Sequence, residues 1–312
     1  FCILTMKQFL FKIGLFLMIF IIIVLLGAKY LSVKVEEQDF KNNETEGNLL
    51  VYRSGAHYDL AFTGISHARN FSRYGNHEKM EKILTKKILN IGRGSGTCGV
   101  KDQYFYLQYI YKQNVSIDTV VFVISPPYLY AEHLNIDAST LIEEPFRFDF
   151  LCRYVMSSSD NKFEKLFHYV RSKYQKSWIE YKPVVEKSKN KRVEKINLET
   201  IEVGMESALK DGVREEIYRE NIKFLEKSLE LVEEHGGVSI IMITPTLFGN
   251  WPNTDRMLET CEELEDKFGA KTFNFADSVN QLEYFYDHHH LNTKGVVYFA
   301  KKYLIPIFII LG

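Results

Sequence analysis

The chain has 312 residues, of which 46% are hydrophobic and 25% charged, and its formal net charge is -1. Setting aside an N-terminal apolar segment leaves about 270 residues, enough for one large α/β domain or two small ones. With no basic excess, the composition argues against nucleic acid as the main partner, because phosphate binding needs clustered Lys and Arg.

The first element is an uninterrupted apolar run from Ile13 to Ala28, bounded by Lys12 and Lys29. Lysines at its ends can snorkel, so the span extends from Phe9 to Leu31 and is long enough to cross a bilayer. A cleaved signal peptide is the rival reading. It has a shorter apolar core and small residues before the cut, whereas Leu26 stands two places before Ala28. We therefore expect a retained anchor over residues 1–31. Lys7 and Lys12 precede the run and Glu36, Glu37 and Asp39 follow it, which places the N-terminus in the cytoplasm and the bulk of the chain outside. Met6-Lys7 reads as a natural start, with the residues before it an upstream read-through. Residues 32–56 read as a polar linker, and 57–312 as the folded domain.

Within that domain, Tyr58 to Thr63 predicts a buried strand ending at Gly64. A helix-compatible stretch over 78–87 follows, then a strand over 87–91. Next comes a glycine-rich loop from Gly92 to Gly99, a helix over 101–112 and a third strand over 119–124, closed by Ser125-Pro126-Pro127. The alternation resumes with a long amphipathic helix from Glu215 to Glu234, a strand from Val238 to Ile243, a helix over 257–268, a strand over 271–275 and a last helix over 293–303. This pattern predicts an α/β fold of flavodoxin-like, three-layer α/β/α type with a parallel five-stranded sheet. Between 130 and 214 it breaks down. That region, with helical stretches such as 162–178 and a basic cluster at 187–195, reads as a helical insertion above the sheet edge, either a lid or a small subdomain. The apolar tail from Tyr303 to Gly312 is too short to span a membrane; it reads as a core strand, a helix end or a membrane contact.

The four cysteines, Cys2, Cys98, Cys152 and Cys261, fit no zinc pattern and no dense disulfide framework. Free, partly buried thiols are expected, with one disulfide among the last three as the alternative.

In an open parallel sheet, ligands bind beyond the carboxyl ends of the strands. Ser66, in Gly64-Ile65-Ser66-His67, falls directly after the first strand; alone, it reads equally as a helix cap. Gly94, Ser95 and Gly96, after the second strand, offer backbone N–H groups to a developing oxyanion. Their spacing is not that of the dinucleotide-binding fingerprint. The most specific feature is Asp287-His288-His289-His290-Leu291-Asn292, between the last strand and the last helix. Asp287 and His290 are close enough in sequence for the carboxylate to accept the imidazole Nδ1–H, leaving Nε2 to activate a serine. Three consecutive histidines raise a metal reading, which no H-E-x-x-H and no paired cysteine supports. His67 and Arg69 either line the site or serve the surface, and Asn292 caps or orients the last helix.

Taken together, these features resemble the SGNH (GDSL-like) hydrolase superfamily, and in particular its membrane-anchored cell-envelope members, the DltD-like proteins and the AlgJ/AlgX-like acetyltransferases. The resemblance covers 58–125 and 238–303. It implies Ser66 as nucleophile, in GISH rather than GDSL, with Asp287 and His290 as its partners. It also implies an oxyanion hole from the N–H groups of Ser66 and of the loop at Gly94 or Ser95. Where the family often supplies an Asn after the third strand, this chain has Ser125-Pro126-Pro127. An α/β-hydrolase is the rival fold, since the residues from Gly64 to Ala68 approach G-x-S-x-G. There, however, the nucleophile comes later in the chain and the Asp lies far from the His.

The function these features imply is acyl ester chemistry outside the cytoplasm, as a serine esterase or O-acyltransferase working through an acyl-serine on acyl, chiefly acetyl, esters of a cell-envelope polysaccharide or glycolipid, with no cofactor and no metal. A transferase would need a multispanning acyl-exporting partner, which only the resemblance implies. The alternative is a non-catalytic envelope polymer assembly protein with a degenerate site.

Overall fold

Each of the five apolar runs forms a strand. The computed structural model describes residues 2–42, 54–93, 98–180, 188–210 and 212–310. In it, β1 is His57–Gly64, β2 Ile88–Asn90, β3 Ser116–Val123, β4 Val238–Ile243 and β5 Lys271–Asn274. All neighbours pair in parallel, in the order β2-β1-β3-β4-β5. This is the flavodoxin-like order, with its reversal point between β1 and β3. The central strands are rich in Val, Ile and Phe because a parallel sheet is covered on both faces. Successive residues serve opposite cores: Val120 and Phe122 pack on one side of the sheet, Val121 and Val123 on the other.

In chain order the helices are α1 (Cys2–Asn42), α2 (Ser66–Arg69), α3 (Asn76–Leu84), α4 (Val100–Tyr111), α5 (Pro126–Tyr130), α6 (His133–Ile136), α7 (Phe148–Val155), α8 (Lys162–Ser172), α9 (Lys176–Ile179), α10 (Leu198–Ala208), α11 (Glu215–Glu234), α12 (Thr254–Phe268), α13 (Thr293–Phe299) and α14 (Ile305–Ile310). One face of the sheet carries α4, α11 and α12, through residues such as Tyr109, Leu225, Leu229 and Met257. The other carries α2, α3, α13 and α14, through Ala68, Met80, Val296, Phe299 and Ile307. Leu225 and Leu229 lie on the stripe predicted for α11 and are each 1% exposed. Burial of each is worth about 2 kcal/mol.

Three segments differ from the sequence reading. The first helix does not end at Leu31, where the linker was expected to begin; α1 runs on to Asn42. Its outer turns continue because they pack. Ala28, Ser32 and Val35 are buried, Ser32 Oγ accepts the Phe146 N–H at 2.8 Å, and Glu36 meets Arg147 Nε at 2.9 Å. Second, the helical stretch expected over 162–178 is broken at the turn between α8 and α9. The region from α7 to α8 is not suspended above the sheet. Phe150, Tyr154 and Tyr169 join Phe105 and Tyr109 of α4 in the main core. Third, the last helix does not stop at the expected Tyr303: it passes through a π turn at Ala300–Leu304 into α14, which accommodates Pro306, so the apolar tail takes the helix-end reading.

Among the described residues Cys98, Cys152 and Cys261 are free thiols.

Candidate active site

The chain leaves β1 through Gly64, at φ +139°, where a Cβ would collide with the Val123 carbonyl oxygen of the neighbouring strand. Only glycine fits there. Two residues later Ser66 opens α2 at the carboxyl edge of the sheet. The turn is held by Gln103, a buried residue of α4. Its Oε1 accepts the Gly64 N–H at 2.7 Å and the Thr63 hydroxyl, and its Nε2 donates to the Gly64 carbonyl. Replacing Gln103 with leucine is expected to cost about 1–3 kcal/mol, because the Gly64 N–H and the Thr63 hydroxyl lose this acceptor and the Gly64 carbonyl is left with the Arg93 N–H. It should also slow covalent modification of Ser66 by displacing the turn, as urea titration and labelling rates would show.

The opposite half of the site is the loop between β5 and α13. Phe285 and Leu291 form an antiparallel bridge that closes it, and the Tyr286 N–H donates to the His290 carbonyl at 3.1 Å. Asp287 Oδ1 accepts the His289 and His290 N–H groups at 3.0 and 2.8 Å, so one carboxylate both shapes the loop and meets the imidazole. Asn292 caps α13: its Oδ1 accepts the Gly295 N–H at 2.9 Å while its Nδ2 donates to the Glu283 carbonyl at 2.7 Å. Asn70, at the end of α2, joins the two halves by donating to the Leu291 carbonyl at 2.6 Å.

The structure brings Ser66, Asp287 and His290 together. His290 Nε2 lies 2.7 Å from Ser66 Oγ, and its Nδ1 lies 2.9 and 3.1 Å from the two Asp287 oxygens. A proton on Nδ1 satisfies the carboxylate and leaves Nε2 free to accept from the serine. Burial works to raise the Asp287 carboxyl, but the hydrogen bond and charge of His290, with His289 beside them, hold it well below the usual carboxylate range.

That depression carries a stability consequence. The carboxylate contributes about 1 kcal/mol, a figure reduced because its side chain is 37% exposed and screened by water. The contribution is fully present above the unfolded carboxyl's value near 4 and is lost as pH falls through the lower folded value. Urea unfolding at descending pH should therefore show wild type losing its advantage over Asp287→Asn only below about pH 4.

Around the imidazole, Tyr286 stacks parallel at 5.4 Å between ring centroids and His67 at 4.8 Å. Burial, with the charges of His290 and His289, pushes His67 well below its ordinary value. Burial and His290 bring His289 down to about 3. Both neighbours therefore stay neutral and do not repel a positive charge developing on His290. Burial and the Asp287 charge push the Tyr286 phenol up. One ring nitrogen each from His67, His289 and His290 lies within 4.8 Å of the others. Both nitrogens of His290 are already engaged, so a metal ion there would have to displace Ser66 or Asp287.

Of the remaining sequence candidates, Arg69 is buried against Glu143, with 3.5 Å between them. His288 is structural: its Nε2 accepts the Asn197 N–H and its carbonyl accepts the Leu247 N–H. Ser125 is buried at the start of α5, just beyond the Val123 that pairs with Gly64. Gly94, Ser95 and Gly96, the loop expected to complete an oxyanion hole, lie outside the described residues. Their approach is described. Gly92 has no room for a side chain against Ala68 and Arg69, and Arg93 is fixed by Glu143 and Glu144. Part of the basic cluster runs beside the site. The Lys189 carbonyl accepts the Thr293 N–H at 3.1 Å, its N–H donates to the Thr293 hydroxyl oxygen at 2.9 Å, and its ammonium stands 5.1 Å over the rings of Tyr74 and Tyr286. Sequence reading did not single out Gln103, Asn70 or Tyr286.

No protein-family model matches the chain, and no curated protein sequence matches it. Among solved structures, it is similar to a "putative acylhydrolase" of Bacteroides fragilis, with 10% identity over 87% of this chain and 92% of that one and a TM-score of 0.41. It is also similar to an acetyl xylan esterase of the rumen bacterium Butyrivibrio proteoclasticus, with 12% identity over 82% of this chain and 64% of that one and a TM-score of 0.39. At these values the likenesses carry nothing about activity; the sheet order and the side-chain geometry stand on their own.

Proposed function

We propose that the chain is a membrane-anchored serine enzyme of the SGNH type that forms an acyl-serine at Ser66. The observation that carries this reading is the continuous hydrogen-bonded line from Ser66 Oγ through His290 to Asp287. Ser66 attacks the carbonyl carbon of an ester while His290 Nε2 takes its proton. The ester oxygen leaves with that proton, and the acyl group remains on Oγ. Asp287 holds the imidazole with Nδ1 protonated and stabilises the imidazolium. The Ser66 N–H and the loop after Arg93 are the proposed oxyanion donors. Water then resolves the acyl-serine in an esterase, or a sugar hydroxyl in an O-acyltransferase. We assign the substrate to acyl, chiefly acetyl, esters of envelope glycans. The support for this is an apolar N-terminal helix followed by acidic residues, which favours a domain held outside the cytoplasm at the membrane.

The test is covalent labelling of the purified full chain with a fluorophosphonate, followed by peptide mapping. We expect one phosphonylated residue, Ser66. An unlabelled chain, or labelling elsewhere with Ser66 intact, sinks the proposal. Acyl release from an acetylated glycan, compared with transfer to a second glycan, then separates hydrolysis from transfer.

A further inference from the structure

The helices that brace α1 carry a second apolar surface. On α8, Leu166 and Tyr169 face the core, as does the Lys165 ammonium that pairs with Asp102. Phe163 and Phe167 stand on a different side and are 72% and 62% exposed. They are four residues apart on α8, and Tyr174, in the turn that follows the helix, is 43% exposed as well. Ile179 at the end of α9 is also exposed. An exposed line of large apolar side chains on a folded domain marks an interaction surface.

Its position relative to α1 identifies the occupant. Every residue of α1 from Met6 to Ile23 is exposed, so this segment projects from the domain as bare apolar surface. The Tyr174 hydroxyl donates to the Val24 carbonyl and leaves Gly27 no room for a side chain. Val24 lies inside the apolar run, about 6 Å along the helix from its end at Ala28. The polar contacts, Lys29 with Glu36 and Arg147 with Glu36, come only further out. Tyr174 therefore sits where tyrosines sit in bilayers, at the boundary between hydrocarbon and headgroups. The stripe on α8 leads away from that point. Lys162, Arg171 and Lys176 around it are not buried, suiting anionic headgroups.

We propose that α8 and α9 form an interfacial membrane-contact surface, with Phe163, Phe167, Tyr174 and Ile179 seated in the outer boundary of the bilayer that α1 crosses. This rests on the reading of α1 as a retained anchor. The surface holds the domain flat on the membrane instead of letting it swing on a tether, and fixes the height of Ser66 above the lipid.

The experiment uses the full chain, with Cys2 and Cys152 replaced by serine, in vesicles of phosphatidylcholine and phosphatidylglycerol. A bimane fluorophore is attached singly at Phe167→Cys, at Ile19→Cys in α1 and at Glu259→Cys on the exposed side of α12. Lipids carrying a nitroxide near the headgroup end should quench the Phe167→Cys label about twofold or more, as expected for a side chain at the interface. Lipids with the nitroxide near the chain end should quench the Ile19→Cys label, and neither lipid should quench the Glu259→Cys label. Quenching at Ile19→Cys with none at Phe167→Cys overturns the contact surface and leaves the anchor standing. Absence of quenching at Ile19→Cys overturns the anchor, and the proposal with it. Circular dichroism confirms that each labelled chain is folded.

Discussion

Replacing Ser66 with alanine is expected to lower ester turnover by a factor on the order of 10³ to 10⁶ while leaving the fold intact. The hydroxyl meets the imidazole, and the cap position of α2 belongs to Ile65, so no helix end depends on it. Replacing His290 with alanine should cost a similar factor, because a serine without its base is a poor nucleophile at neutral pH. The combined variant should be scarcely worse than either single one, since two groups that act on one proton cannot be lost twice. The measurement is kcat/KM on an activated acetyl ester for all three variants. If the two losses multiply, His290 does not serve Ser66 and the line of hydrogen bonds is not a catalytic one.

Asp287→Asn should lower turnover by roughly 10³ to 10⁴ through a change of tautomer. The Asn carbonyl oxygen can still accept the His289 and His290 N–H groups that shape the loop. Its amide then faces His290 Nδ1 and donates to it. The imidazole proton moves to Nε2, which can no longer accept from Ser66. Asp287→Ala should fail differently, losing the same turnover together with about 1–2 kcal/mol of stability as two backbone N–H groups lose their acceptor. A melting temperature lowered less in Asp287→Asn, which loses the charge alone, than in Asp287→Ala, which also loses the loop's acceptor, with both inactive, separates the two roles of this carboxylate.

The sheet was legible because four of its five strands are apolar runs that end at a turn-former: Gly64 at the end of β1, Gly92 after β2, Ser125-Pro126 after β3 and Thr244-Pro245 after β4. The proximity of Asp287 to His290 was also legible, being a matter of three residues on one local loop. Their approach to Ser66 required the sheet order, which the alternation of elements supplied. Gln103 and Asn70 were not legible for a common reason. Each acts across tertiary contacts, from α4 onto the β1 turn and from α2 onto Leu291, and nothing in the local pattern around a polar residue says where its amide will point. The outer turns of α1 were missed because their helicity depends on packing against Phe146 and Arg147, while their own composition is polar. The region between α5 and α11 was the least legible: α7 is held by aromatic contacts with α4, and α8 by Tyr169 against Phe150 of α7 and by the buried Lys165–Asp102 pair with α4, none of which a periodicity announces.

The hydrogen bond from Ser66 to His290 joins residues separated by 224 positions, and the Asn70 tie spans 221. A ribosome therefore delivers the serine 224 residues before the imidazole it meets. Closing so long a loop is slow compared with forming local helices and strands. Until α13 docks, the growing polypeptide carries an ordinary alcohol with no partner to activate it. On the proposed function, acylation of Ser66 then waits until His290 has been made and docked, and a product truncated before His290 is expected to be inert toward esters.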